Sequence, residues 1–270
     1  MKIARITKAV AVFAVAGLVA TACSSSLDET SSESSAPASE SAAETSADAT
    51  ATDTLKIGFV SPQTGPLAGF GEADQYVIDA MTEFFAANPI VAGGTTYSVE
   101  IITKDAQSDS KRAGEVAAEL INTDGVDLIL AEGTPDIVNP VADQCEANTT
   151  PCITTVAPWQ PYFIGRGGVP GESAFDWTYH FFWGLEDVAG TYASMWNQVD
   201  TNKKVAGLFP NDPDGEAWGA NFPDLTGGDG YTINNPGLYP NGTQDFSSQI
   251  SAFKSDGDEI LTGVPIPPDF

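Results

Sequence analysis

IGFVSPQTGPLAGFGEADQYVIDAMTEFFA, residues 57–86, is the stretch that decides the fold. Its opening completes LKIGFV (55–60), a short apolar run of the length expected for a strand covered on both faces. The loop SPQTGPLAGFG (61–71) interrupts that run, because Gly and Pro favour turn dihedrals that a regular element does not sustain. Tyr76, Val77, Ala80, Met81, Phe84 and Phe85 then recur at helical spacing, which predicts an amphipathic helix over 72–87. A buried strand, a polar loop and a helix in that order form the first part of a βαβ unit and predict a parallel sheet.

The alternation continues outward. YSVEIIT (97–103), VDLILA (126–131) and CITTVA (152–157) read as strands. Between them Ala113, Val116, Ala117, Leu120 and Ile121 mark one helix, and 137–145 a second. An irregular aromatic and Gly-rich segment follows, PWQPYFIGRGGVPGES (158–173), and WTYHFFW (177–183) reads as a strand leaving the first sheet. A second series comes after it. Val188, Tyr192, Met195, Trp196 and Val199 form a helical stripe, KVAGLF (204–209) a strand, and 214–225 a short helix. GYTI (230–233) is a weak strand, Phe246, Ile250 and Phe253 mark a helix, and EILTGV (259–264) ends the series as a strand. The expected class is α/β, with Rossmann-like parallel sheets in two lobes, 55–180 and 181–270. Pro267, Pro268 and Asp269 resemble the first positions of a helix, so a C-terminally truncated chain is expected.

The N-terminus has a different character. Lys2, Arg5 and Lys8 precede an uncharged apolar run over 9–22, the pattern of a secretory signal too short to span a bilayer. Ala20-Thr21-Ala22-Cys23 resembles a bacterial lipobox, with Ala20 where Leu or Val is commoner, so Cys23 is the expected lipid anchor. Residues 23–54 are almost wholly Ser, Ala, Thr, Asp and Glu, and cannot bury enough apolar area to repay their ordering entropy. They read as a disordered linker reaching on the order of 30 Å. The expected location is extracytoplasmic, anchored to the cell membrane.

The whole chain carries a net charge of −26, and losing the three basic residues of the signal takes it to −29. Nucleic acid is thereby excluded as an expected partner, since phosphate contacts need clustered Lys and Arg. Three cysteines occur. Apart from Cys23, Cys145 and Cys152 form an even pair in an exported chain, and a disulfide between them is expected. One histidine (His180) and no C-x-x-C spacing leave neither a zinc site nor a Cys–His catalytic pair supported.

In open α/β sheets ligands bind beyond the carboxyl ends of the strands. Here those ends lead into loops 61–71, 132–136, 157–168, 210–216 and 265–269. Small residues, amides, hydroxyls and aromatics dominate them, a mixture suited to a small polar or zwitterionic ligand. The same residue types are also ordinary turn formers, so only their shared placement carries weight. Neither GPLAGFG nor GRGGVPG fits the dinucleotide or Walker spacing, and no G-x-S-x-G is present. NDPDGEAW (211–218) partly resembles a calcium loop, but Pro210 and Asn221 would stand at the first and last ligand positions. No enzyme activity, metal or cofactor is expected; an exported hydrolase using Asp212, Asp214 or Glu216 is the least supported reading.

Three blocks together carry a family resemblance. The stretch quoted first resembles the opening of the leucine/isoleucine/valine-type solute-binding proteins of ABC transporters, which have the type I periplasmic-binding-protein fold. LILAEGTPDIVNPVADQCEANTTPCITTVAPW (128–159) is similar to that family's next strand–loop–helix–strand, and KVAGLFPNDPDGEAW (204–218) to its second-lobe strand and loop. The resemblance implies a two-lobed clamp that captures an amino acid, amide or similar solute and delivers it to an ABC permease. A ligand-sensing ectodomain with the same clamp is the alternative. Carried over residue by residue, the contacts fall at Phe70, Thr134, Pro135, Asp136, Ala157, Pro158 and Trp159, and from the second lobe at Asp212, Asp214 and Pro265. The loop reading Gly133-Thr134-Pro135-Asp136 departs from the serine-rich loop of amino-acid binders. Of the family's three crossings between lobes, only the first, near 177–185, is expected in this chain.

Overall fold

A computed structural model describes residues 51–269. Cys23 and the signal sequence lie outside the described residues. The first strand, β1 (Asp53–Ser61), takes the last two residues of the expected linker into the sheet, where Asp53 pairs with Tyr97. It leads through the Gly-rich loop into α1 (Asp74–Ala87).

A short hairpin then appears that alternation alone did not reveal: β2 (Ile90–Ala92) pairs antiparallel with β3 (Thr95–Asp105). Gly93 and Gly94 form its two-residue turn with φ of 58° and 83°, the left-handed pair that a tight hairpin of this twist requires. The chain continues with α2 (Ser110–Glu119), β4 (Leu128–Glu132), α3 (Pro135–Ala147) and β5 (Cys152–Thr155). Asp109 caps α2 by accepting from the Arg112 N–H at 2.7 Å. The irregular aromatic segment holds one short helix, α4 (Trp159–Phe163), and β6 (Thr178–Phe181) follows.

The six strands form one sheet in the order β2-β3-β1-β4-β5-β6, parallel except for β2. β6 corrects the expectation for 177–183. It does not leave the first sheet but closes its edge, Thr154 opposite His180. The crossing comes after it, into α5 (Leu185–Trp196). β7 (Lys204–Leu208), α6 (Pro213–Gly227), β8 (Thr232–Asn234), α7 (Ser247–Asp256) and β9 (Ile260–Gly263) complete the described chain. Their strands form a second, parallel sheet in the order β8-β7-β9. Pro267–Asp269 turn once as a 3-10 helix.

Three groups of buried residues hold these sheets, the smallest being Ala193, Val205 and Tyr231. α2, the π-helical turn Leu120–Asp124 that continues it, and α3 cover the first with Val116, Leu120, Ile137, Val138 and Val141, each fully buried and each contributing about 1.5–3 kcal/mol. Phe209, Trp218 and Phe222 with Leu185 form the main core of the second. α1 is the exception. None of its residues is buried, and Tyr76 is 80% exposed, so the stripe that predicted it faces solvent in this chain. Phe181 of β6 is 79% exposed, and Tyr179 and Ile153 are exposed too.

The bridge expected between Cys145 and Cys152 is not formed: both are free, buried thiols. Helix α3 and strand β5 do bring them together. The Cys152 thiol is pushed far above its usual range by its hydrogen bond to Cys145 and by burial. Little thiolate is then present, and thiolate is the form that oxidises.

Candidate functional site

The loop after β1 is held rigid by its neighbour β3. Asp105 at the end of β3 accepts from the Gln63 N–H at 2.9 Å and from the Thr64 hydroxyl at 2.6 Å. Burial pushes the Asp105 carboxyl up, but the hydrogen bonds from Thr64, Gln107 and Gln63 outweigh it and hold it below the usual range. Gly65 has φ of 88°, and a Cβ there would stand 2.7 Å from the Ser108 hydroxyl, which itself donates to the Thr64 carbonyl at 2.6 Å. Phe70, at the far end of this loop, packs half-buried against the first core.

β1 and β4 are neighbours, so their carboxyl ends lie side by side. Ser61 and Glu132 close those ends, and Asp74 joins them from the first turn of α1. Glu132 is 7% exposed. Burial first, then the charge of Asp74 and a hydrogen bond to it, push its carboxyl up to about 8. Asp74 is raised by burial and partly offset by hydrogen bonds with Ser61 and Glu132. As two carboxylates the pair would leave Glu132 Oε1 and Asp74 Oδ2 buried without partners. One shared proton, held by Glu132 and donated to Asp74, satisfies both, so they titrate as a unit.

A second acidic group spans the two sheets. Asp136 stands in the first turn of α3, and Asp212, Asp214 and Glu216 at the start of α6; the two helices are in contact. Asp212 is the cap of α6, accepting from the Gly215 N–H at 2.8 Å and from the Asn241 amide at 3.1 Å. Because α6 begins at Pro213, the residues that partly resembled a calcium loop are helical. Burial, then the charges of Asp212 and Glu216, push Asp136 up to about 6. Burial, then Asp212 and Asp136, push Asp214 up to about 8. Both acids sit in first turns, where the helix dipole favours a carboxylate; burial and mutual repulsion outweigh that contribution. Thr134, the residue before α3, is 7% exposed, and its hydroxyl neither caps α3 nor finds another partner.

The loop after β5 is turned to a different task. Ala157 and Pro158 are buried. The Trp159 indole donates to Glu186 at 2.8 Å, the Gln160 amide donates to the same carboxylate, and Gln160 Oε1 accepts from the Leu185 N–H at 2.9 Å. Trp159 and Gln160 thus tie α4 to the start of α5, across the link between the sheets. His180 is half-buried and stacked on Tyr162 at 4.1 Å, with Ala157 O 2.6 Å and Thr154 Oγ1 2.8 Å from its ring nitrogens. Burial first, and then Arg166, lower its pKa despite the bond to Ala157.

Thr134, Pro135, Asp136, Asp212 and Asp214 therefore meet where α3 faces α6. Pro265 lies elsewhere, on a cavity of about 400 Å³ lined by Tyr192, Met195, Leu208 and Leu261 along the β9 edge. Sequence reasoning passed over Ser61, Asp74 and Glu186, and named Glu132 and Gln160 only as parts of their loops. Glu132 had a legible signal, an acid closing the apolar run LILA; the others become neighbours only through the fold.

Two α/β units with strand carboxyl ends at a shared junction define a two-lobed binding fold. The chain belongs to the periplasmic binding protein family, whose model matches residues 54–270. No curated protein matches it. Among solved structures it is similar to the leucine-binding protein LivK of Thermotoga maritima, with TM-score 0.65 and 21% identity over 78% of this chain and 56% of that one. A solute-binding protein of an ABC transporter from R. palustris, in complex with 4-hydroxybenzoate, gives TM-score 0.65 and 20% identity over 80% and 55%. The isoleucine-bound LivJ of Streptococcus pneumoniae gives 0.59 and 18% over 78% and 56%. The chain thus spans little more than half the length of these structures.

Proposed function

We propose that this is the extracytoplasmic solute-binding component of an ABC importer, in which lobes 55–180 and 181–270 close on a small polar solute and present it to a permease. The observation that carries this reading is the meeting of Thr134 and Asp136 from the first unit with Asp212 and Asp214 from the second, at strand and helix ends where ligands of open α/β sheets bind. Phe70, Pro135, Ala157 and Pro158 shape the first-lobe wall; Trp159 acts through its tie to Glu186. Pro265, on the separate cavity along the β9 edge, is left out of this wall. Family membership and the ABC-transporter proteins among similar structures support the reading.

Cys23 is the lipid anchor and 23–54 the tether that keeps the clamp near its permease. A thermal-shift and calorimetric panel of amino acids, amides, ureas and small carboxylates tests the function, with stabilisation expected from mass action. Silence across the whole panel would remove the reading. Intact mass of the mature N-terminus tests the anchor separately, a diacylated Cys23 being the expected result.

A further inference from the structure

We propose that the junction between α3 and α6 selects a cationic, donor-rich organic solute: an aliphatic diamine, amidine or guanidine. This rests on the solute-binding reading and names its ligand class. Helix α3, with Asp136 in its first turn, is in contact with α6, whose start carries Asp212, Asp214 and Glu216, so four carboxyl groups gather at this junction from two units and act on one another. None takes part in a salt bridge among the described residues. Their polar supply is one-sided. Asp214 Oδ1 is buried with no partner, and the buried Thr134 hydroxyl beside Asp136 is likewise unspent.

An extended cation with several N–H donors would supply what each of these oxygens lacks, and would lift the repulsion between Asp136 and Asp214. A carboxylate solute would add a like charge to the same place. The described residues hold no group of three or more acids, His or Cys arranged for a metal ion, which favours separated nitrogen donors over a compact metal. The groups facing Asp136 and Asp214 are each other, Asp212 and Glu216; α4 contributes no charged residue, and the nearby Glu186 is engaged by Trp159 and Gln160.

The test is calorimetry and thermal shift on the full chain with putrescine, agmatine, isoleucine, 4-hydroxybenzoate and calcium chloride. Putrescine or agmatine should bind, with affinity rising about tenfold or more between about pH 5.5 and about pH 8.5 as the carboxyls lose their protons, and with protons released on binding. Asp214→Asn and Asp136→Asn should each weaken that binding about tenfold or more, while the unliganded variants melt no lower than the parent because a repulsive acid has gone. Binding of isoleucine or 4-hydroxybenzoate without the amines overturns the cationic class and leaves the solute-binding reading standing. A response to calcium alone overturns it as well. No binding by any of the five overturns the cationic class, and the solute-binding reading then stands or falls with the broader panel.

Discussion

At the residue scale, one buried acid, Glu132, and two half-buried ones, Asp136 and Asp214, govern how this protein responds to pH. Glu132 and Asp214 are each pushed to about 8, and Asp136 to about 6, well above ordinary carboxyl values. A raised acid binds its proton more tightly in the folded than in the unfolded chain. Between the two values the folded state carries the extra proton, so its stability is greatest below the unfolded pKa and falls as pH rises through the folded one. The unliganded protein should therefore lose on the order of 2 kcal/mol of stability between about pH 5 and about pH 8.5. Chemical denaturation across that range measures it, and Glu132→Gln should flatten the profile. A flat wild-type profile would mean that neither Glu132 nor Asp214 is held neutral.

At the element scale, the segment 158–173 is ordered by one cation. Arg166, its side chain 1% exposed, donates to Asp143 at 2.7 Å, to the Tyr162 hydroxyl at 2.8 Å and to Thr178 at 3.0 Å, and lies 3.9 Å over the Phe175 ring. It joins α3, α4 and β6 at once. Arg166→Met keeps much of the apolar stem but strands three acceptors, so a loss of roughly 2 kcal/mol is expected in denaturant unfolding. Because α4 also carries Trp159 and Gln160 toward Glu186, the same variant should raise protease cleavage within 158–173. Unchanged cleavage would show that the segment is held without Arg166. Alternation of apolar runs made the parallel strands legible, since a strand buried on both faces is a short apolar block wherever it sits. It hid β2, whose three residues are too few for a period, and α4, a five-residue helix preceded by Pro158 and containing Pro161.

At the scale of the whole molecule, this chain exposes apolar surface that its sequence marks as core. Tyr76, Val77 and Phe84 of α1, and Tyr179 and Phe181 of β6, are all exposed, as is Leu261 at the β9 edge. Large apolar side chains exposed in this number promote association. The 270-residue chain should self-associate on size-exclusion chromatography at micromolar concentration, and a Tyr76→Lys, Phe181→Lys double variant should shift it toward monomer. A monomeric wild type would show that the exposed residues do not form an adhesive face.

The sequence by itself determined the α/β class, the succession of strands and helices along the chain and the loops at the strand ends, while the family was carried by the resemblance of three motif blocks. These follow from local periodicity and turn chemistry, which are written in neighbouring residues. Tertiary structure alone decided that β6 stays in the first sheet, that Trp159 is tied to Glu186, that Cys145 and Cys152 rest as thiols, and that Asp136 faces Asp214. Strand pairing, hydrogen bonding across a junction and the repulsion of buried charges depend on through-space distance between residues far apart in the chain. No local pattern encodes that distance, and it is also what turns ordinary helix-start acids into a candidate binding site.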